Sequence, residues 1–224
     1  MHLCSQSKTM KIFLIWSLLL LITTPFFSQK NLPFIGTLEY EIRNIELKDE
    51  KPQLMHILSL DSIIRIETES YVFGNQSFIK HLVKKKSYLL ISLDENKNYA
   101  IKGDFSKTDS ANTALKYSWK KSFGSRNIGG LAAKKLKLTL LKSQKTFNCY
   151  YSKNYAARYQ EAYTDFPGLP VLYYIETEDG ILEYRLKKYT NIAPNYDLFG
   201  VPSNYIKITF DEFVDLLNNS NKND

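Results

Sequence analysis

The sequence has little of the residues on which most catalytic and metal sites depend. Its 224 residues include only two cysteines and three histidines. If the first 28 residues are removed, Cys149 is left alone, which excludes an intramolecular disulfide. Because Cys149 alternates with Phe147 and Tyr151, we expect a buried, small hydrophobic side chain there and not a reactive thiol.

Motifs that carry chemistry are also missing. There is no Gly-x-Ser-x-Gly elbow, phosphate-binding loop, dinucleotide fingerprint or His-Glu-x-x-His helix. His56 and His81 lie in strand-like runs with no second metal ligand at a suitable spacing. Carboxylates cluster at Asp94-Glu95 and from Glu176 to Asp179, but these are turn sequences, where acids are common. The sequence therefore predicts a protein that is not an enzyme and that has no metal or cofactor.

Charge of one sign is not strongly in excess. Thirty Lys and Arg stand against 23 Asp and Glu, and the densest basic clusters are Lys84–Lys86 and Lys134-Lys135. Such clusters can bind an anionic lipid surface or nucleic acid. Without a recognisable nucleic-acid module, solvated turns between strands are the favoured interpretation, and we expect no nucleic-acid partner.

The start of the chain resembles an export signal. Lys8 and Lys11 precede the apolar run from Ile12 to Ile22, and Ser28 offers a small residue for cleavage before Gln29. The run is shorter than the roughly 20 residues that span a bilayer, although an uncut membrane anchor is the alternative. Met10 is a second candidate start. We expect a signal peptide over 1–28, one exported domain over 29–217, a disordered tail over 218–224, and a periplasmic or secreted location.

The remainder reads as about ten short strands. Apolar and polar residues alternate in four segments: Leu38–Ile42, Ile64–Glu67, Leu136–Leu140 and Leu182–Leu186. Tyr88–Leu93 and Val171–Ile175 are apolar on both faces, so both faces need cover. Helices are expected at Ala111–Lys121, Tyr155–Tyr163 and Phe210–Leu217. This pattern predicts a mainly β (α+β) fold: a large antiparallel sheet curved into an open half-barrel, with a few covering helices and no parallel βαβ unit.

Aromatic residues suggest a place for a ligand. Sixteen Tyr and 13 Phe occur, including the adjacent pair Tyr173-Tyr174, whose rings point to opposite faces of a strand. Outward-facing rings can line an apolar groove, although β-rich proteins are rich in such residues anyway. Leu172 and Tyr174 are the candidate groove residues.

Short motifs resemble a known group of proteins. The segments Ile128–Leu136 and Phe166–Val171, and the element Phe199, Pro202 and Tyr205, are similar to exported Bacteroidota proteins of unknown function. Gly168-Leu169-Pro170-Val171 partly resembles the Gly-Leu-Pro-Gly-Leu-Ile family. The resemblance implies a lipoprotein-localisation-factor-like (LolA-like) half-barrel, with helices over an apolar concave face that could hold acyl chains. It implies no catalytic residues.

Two functions follow as hypotheses. The first is a soluble envelope protein that binds an apolar ligand, such as a lipid or a lipoprotein acyl chain, in the half-barrel groove. The alternative is a non-catalytic interaction or structural module of the envelope, without a ligand and with a possible protein partner. A continuous apolar cavity would favour the first, and a filled core the second.

The export signal gives a direct prediction. Protein from the envelope fraction should begin near Gln29, because a signal peptidase would cut after Ser28. N-terminal sequencing measures this, and an intact start at Met1 or Met10 would contradict it.

Overall fold

The structure is a computed structural model that describes residues 32–47, 49–70, 74–94, 97–104, 117–160 and 162–220. The expected signal peptide, with Ser28 and Gln29, lies outside these residues.

Twelve strands form one sheet. Their bounds are β1 Ile35–Asn44, β2 Gln53–Leu60, β3 Ile63–Ser70, β4 Gly74–His81, β5 Lys86–Asp94, β6 Lys97–Asp104, β7 Tyr117–Ile128, β8 Leu131–Leu140, β9 Thr146–Ser152, β10 Leu169–Thr177, β11 Gly180–Thr190 and β12 Ile206–Ile208. The order across the sheet is β12-β6-β5-β4-β3-β2-β1-β11-β10-β9-β8-β7, so β12 and β7 are the two edges and the sheet does not close. The mainly β, open-sheet prediction is confirmed.

Neighbouring strands in the sheet are consecutive in sequence, with two long-range exceptions: β1 with β11 in the middle and β12 with β6 at one edge. β1 pairs with β11 over eight residue pairs, from Thr37 opposite Thr190 to Asn44 opposite Leu182. This pairing joins strands β1–β6 to strands β7–β11. The sheet is antiparallel except at one edge, where β12 runs parallel to β6 over three residue pairs.

One face of the sheet, here called the core face, carries the alternating apolar residues. Leu38, Tyr40, Ile57 and Ile64 are all fully buried there. The segments 153–160 and 162–168 pack over this face with three aromatic residues, Tyr159, Tyr163 and Phe166. The ring centroids of Tyr163 and Tyr173 are 5.7 Å apart. The chain therefore fills this face with its own side chains.

Buried tyrosine hydroxyls on the core face find partners, as buried polar groups must. The Tyr40 hydroxyl donates to the Pro170 carbonyl at 2.7 Å. The Tyr159 hydroxyl accepts from the Phe34 backbone N–H at 2.9 Å, and the Tyr173 hydroxyl donates to Gln160 Oε1 at 3.1 Å. Burial raises the pKa of Tyr40 and Tyr173 well above the ordinary value, so both stay neutral.

Strand β5 is covered on both faces, as its doubly apolar sequence predicts. Ile91 packs against Phe213 of helix α1 (Phe210–Ser220) on the core face. Leu90 packs on the opposite face, in a cluster that includes Val201 and Tyr205. The element Phe199, Pro202 and Tyr205 thus belongs to a segment that covers one end of the sheet.

Within the described residues, one of the three expected helices forms. Helix α1 begins where expected and runs to Ser220, so Asn218–Ser220 extend the helix, and the rest of the expected tail lies outside the described residues. A capping box starts it: the Thr209 N–H donates to Glu212 Oε2 at 2.6 Å, and the Glu212 N–H donates to Thr209 Oγ1 at 3.2 Å. The expected helix over Tyr155–Tyr163 is wrong, because only Ala157–Tyr159 make a 3₁₀ turn. The expected helix over Ala111–Lys121 is wrong from Tyr117 onward, where β7 begins, and positions 111–116 lie outside the described residues.

Because both faces of β5 are covered, shortening a buried side chain on either face should destabilise the fold. Leu90→Ala and Ile91→Ala should each lower the free energy of unfolding by roughly 2–4 kcal/mol, because each leaves a cavity in a packed cluster. Leu93, which is partly exposed on the same strand, is the control, and Leu93→Ala should cost about 1 kcal/mol or less. Urea denaturation measures all three. A small loss for either buried position would show that its face is not covered.

Candidate binding surface

The two residues predicted to line a groove are engaged by other protein groups. Leu172 is buried, with 3% of its surface exposed, and lies opposite Arg185 in the β10–β11 register. The Tyr174 ring stacks on Phe147 with centroids 4.3 Å apart, and its hydroxyl donates to Glu183 Oε2 at 2.7 Å. Both residues lie beside a band of charged side chains that the sequence analysis did not recognise.

This charged band occupies the face opposite the core face and is built from Glu/Arg pairs two residues apart. Residues two apart in a strand point to the same face. Arg43 Nε lies 2.7 Å from Glu41 Oε1, and Arg185 Nε lies 2.9 Å from Glu183 Oε1. We define the charged band as Glu41, Arg43, Glu183, Arg185 and Lys187.

The register of β1 with β11 interlocks these pairs. Glu41 stands opposite Arg185, and Arg43 stands opposite Glu183. Lys187 Nζ adds a longer contact to Glu41 Oε2, at 3.5 Å. Acids and bases therefore alternate along and across the two strands, which is the favourable arrangement for cross-strand neighbours.

A third Glu/Arg pair on the same face has a structural task. Arg65 Nε contacts Glu67 Oε1 at 2.7 Å, while its two other nitrogens donate to the Leu198 carbonyl at 2.6 Å and to Ser77 Oγ at 2.9 Å. Arg65 thus ties the 3₁₀ turn Tyr196–Phe199 to β3.

Glu41 of the charged band is not suited to proton donation. The hydrogen bond from Arg43, with help from the charge of Lys187, lowers the pKa of Glu41 below its ordinary value. A general acid requires the opposite shift, a carboxyl pKa raised toward neutrality. Glu41 is therefore a permanent carboxylate at physiological pH, and it holds the arginine in position.

The histidines and the cysteine lie in separate places. His56 stands between Glu39 and Glu67 in the strand registers. Burial and the charges of Lys84 and Lys86 lower the pKa of His81. Among the residues that the structure describes, no three His, Cys, Asp or Glu side chains are grouped to hold a metal ion. Cys149 is fully buried, as its sequence pattern predicts, and burial raises the pKa of its thiol.

A pocket of about 310 Å³ lies at the β10–β11 hairpin and includes the carboxylate cluster Glu176, Glu178 and Asp179. Its wall includes the ion pair between Lys145 Nζ and Glu46 Oε1, 2.6 Å apart. The Ser143 N–H donates to Glu176 Oε2 at 3.4 Å. The pocket is polar, so it does not supply the continuous apolar cavity that the apolar-ligand hypothesis requires.

Comparisons with known proteins show the fold alone. PNGF-II, in a structure in space group P21, has a TM-score of 0.50 and 11% identity over 82% of this chain. The match covers 33% of the PNGF-II chain, so this chain spans about a third of its length. MucB in complex with MucA(peri) has a TM-score of 0.42 and 12% identity, over 78% of this chain and 57% of MucB. Both similarities are too low to carry over an activity or a partner.

No family model matches the sequence, and no curated protein matches it. The resemblance to exported Bacteroidota proteins with a LolA-like fold therefore stays a prediction, whereas the β-rich architecture is shown. Within the described residues, no helix is long and apolar enough to cross a membrane.

The Glu41–Arg43 pair predicts a pH dependence. Because the folded-state pKa of Glu41 is depressed, its charge stabilises the fold fully above the ordinary value of 4.5, and that stability is lost as pH falls through the folded pKa. In Arg43→Gln, the pKa of Glu41 should rise toward 4.5, so the variant should lose less stability than the parent below that pH. Titration of the Glu41 carboxyl carbon by NMR measures the shift.

The matched control is Lys188→Gln. It removes a positive charge from an exposed position on β11 that is opposite Glu39. In this control the pKa of Glu41 should stay as low as it is in the parent protein. An unchanged pKa of Glu41 in Arg43→Gln would contradict the assigned cause.

Proposed function

We propose that the protein is a non-catalytic binding module of the cell envelope that uses the charged band to contact a protein partner. The observation that carries the proposal is the exposure gradient within each ion pair. Side chains of Arg43 and Lys187 are 55% and 45% exposed, whereas Glu41 is only 15% exposed. Arg185 and Glu183 repeat the pattern, at 37% and 16%.

This gradient determines what the band offers to a partner. The carboxylates are mostly buried and hold the arginine side chains in position. Less side-chain entropy is therefore lost when the arginines bind a partner. Arg43 and Arg185 use Nε toward their own glutamates. We infer that their terminal nitrogens bind carboxylates or backbone carbonyls of the partner, which the guanidinium fork is suited to bind. The partner of this proposal is therefore a protein segment rich in acidic side chains or exposed carbonyls.

The non-catalytic part of the proposal rests on the chemistry of the band. Its carboxylates are ion-paired, and the thiol of Cys149 is buried and protonated. The envelope part rests on the predicted export signal.

Binding of an apolar ligand, the first hypothesis from the sequence, has less support. The segments 153–160 and 162–168 pack over the core face, Leu172 is buried, and Tyr174 stacks on Phe147. An acyl chain at Leu172 and Tyr174 would have to displace these contacts.

Site-specific photo-crosslinking in producing cells tests the proposal. Leu54 lies opposite Glu41 in the β1–β2 register and is 50% exposed, so a photoreactive residue there reports on the charged band. We expect a discrete protein adduct from position 54 and none from Val83, an exposed control in the β4–β5 turn. The adduct should disappear in the double variant Arg43→Gln/Arg185→Gln.

Two results would contradict the proposal: no adduct from position 54, or an adduct that survives loss of both arginines. Mass spectrometry of small molecules that co-purify with the protein examines the apolar-ligand hypothesis in parallel. A stoichiometric lipid that is lost in Tyr174→Asp, while thermal stability is kept, would replace the proposal with that hypothesis.

A further inference from the structure

The strands at one edge of the sheet contain basic residues and no acidic ones. From Ser110 to Gln160 the sequence has no Asp or Glu, and its cations are Lys116, Lys120, Lys121, Arg126, Lys134, Lys135, Lys137, Lys142, Lys145, Lys153 and Arg158. The composition of the whole chain conceals this segregation, because acids elsewhere nearly balance the total. Strands β7, β8 and β9 all fall in this segment.

The register places four of these cations on one face. Lys120 lies opposite Lys137. Lys135, two residues from Lys137 on β8, lies opposite Tyr150. The guanidinium carbon of Arg126 stands 4.4 Å from the centroid of the Tyr150 ring. We call Lys120, Arg126, Lys135 and Lys137 the basic ledge.

The two facing lysines of the basic ledge, Lys120 and Lys137, do not stabilise the sheet. Like charges directly opposite each other in a sheet are destabilising. Within the described part of the chain, no ion pair joins any of these four cations to a carboxylate. The arrangement differs in this respect from the charged band, where each arginine has a carboxylate.

A fully exposed phenylalanine lies beside the basic ledge. Between Lys121, opposite Leu136, and Ser125, opposite Lys134, β7 advances four residues while β8 advances two. Phe123 lies in this bulge with 101% of its surface exposed. A Cβ on the next residue, Gly124, would lie 3.4 Å from Lys135 Cδ, so the bulge runs directly over a ledge side chain.

Protection of an edge strand accounts for part of this arrangement. Bulges and lysines on an edge prevent pairing with other chains. A fully exposed phenylalanine has the opposite effect, because it adds apolar surface at that edge. An aromatic side chain among cations is the arrangement by which peripheral proteins bind anionic membranes, with the ring in the interface and the cations at the headgroups.

We propose that the basic ledge and Phe123 bind the surface of an anionic lipid bilayer. Charge complementarity and the exposed ring together select this occupant. An acidic protein would use the cations but would not need a ring held free of every neighbour. The basic ledge lies on the same face of the sheet as the charged band, but β10 and β9 separate it from β11. The two sites share no residue, so either proposal can fail alone.

Sedimentation with vesicles tests the proposal. The full chain is mixed with vesicles of phosphatidylglycerol and phosphatidylcholine, or of phosphatidylcholine alone, near physiological salt. Its apolar N-terminal run contributes equally in every variant. We expect tighter binding to the anionic vesicles, and a loss of roughly thirtyfold or more in Lys120→Glu/Lys137→Glu, since each cation near an anionic surface contributes about 1 kcal/mol. Phe123→Ser should weaken binding by roughly tenfold.

The matched charge control is Lys102→Glu/Lys207→Glu. Both residues are exposed and lie on β6 and β12, at the other edge of the sheet. This control makes the same change in net charge and should bind like the parent. Equal binding to both kinds of vesicle, or an equal loss in the charge control, would overturn the proposal.

A second measurement reports the contact directly. In Phe123→Trp, lipids brominated in the acyl chain should quench the new fluorescence when vesicles are anionic. Phe210→Trp, at an exposed position near the other edge, should not gain such quenching. Similar quenching at both positions would show that the chain meets the bilayer through another segment. Binding of soluble acidic peptides without quenching at position 123 would assign the basic ledge to a protein instead.

Discussion

The pairing of β1 with β11 is the contact on which the rest of the sheet depends. It is the one place where the strands from β2 to β6 meet the strands from β7 to β10 in the sheet order. On the core face it places Tyr40 opposite Leu186, and the Tyr40 hydroxyl reaches the Pro170 carbonyl of β10. On the other face it assembles the charged band. Because the two strands are far apart in sequence, closing this pair costs loop entropy that local hairpins do not pay.

The two faces of this pairing have different physical tasks. Burial of apolar surface at Leu38, Tyr40 and Ile42 supplies the driving force. The charges on the opposite face add little net stability, because partly exposed ion pairs are weak. They do discriminate between registers: a slip of two residues would keep the core face inward but place Glu41 opposite Glu183 and lose the alternation.

Local patterns in the sequence predict the elements well and the site poorly. Alternation of apolar and polar residues predicts β1, β3 and β8, and the doubly apolar run predicts the double cover of β5. Both succeed because burial of one or both faces of a strand determines which of its residues are apolar. The expected helix at Tyr155–Tyr163 fails because tertiary contacts take precedence. Tyr163 adopts a φ of 58°, outside the right-handed helix, while its hydroxyl donates to the Tyr174 carbonyl. The charged band was missed because it needs the β1–β11 register. The repeated Glu-x-Arg spacing at Glu41–Arg43 and Glu183–Arg185 was its only local signal.

The charged band and the basic ledge show two ways in which a sheet carries cations. In the band each arginine is neutralised by a carboxylate that also fixes its geometry, so the charges stabilise their own register. On the ledge, Lys120 and Lys137 repel each other across a strand pair, at an edge where water screens the repulsion. Whatever anion binds there relieves that repulsion, and by linkage it must stabilise the folded β7–β8 hairpin as it binds. Occupancy of the ledge and order of the hairpin are therefore coupled, whereas each arginine of the band already has a carboxylate within the sheet.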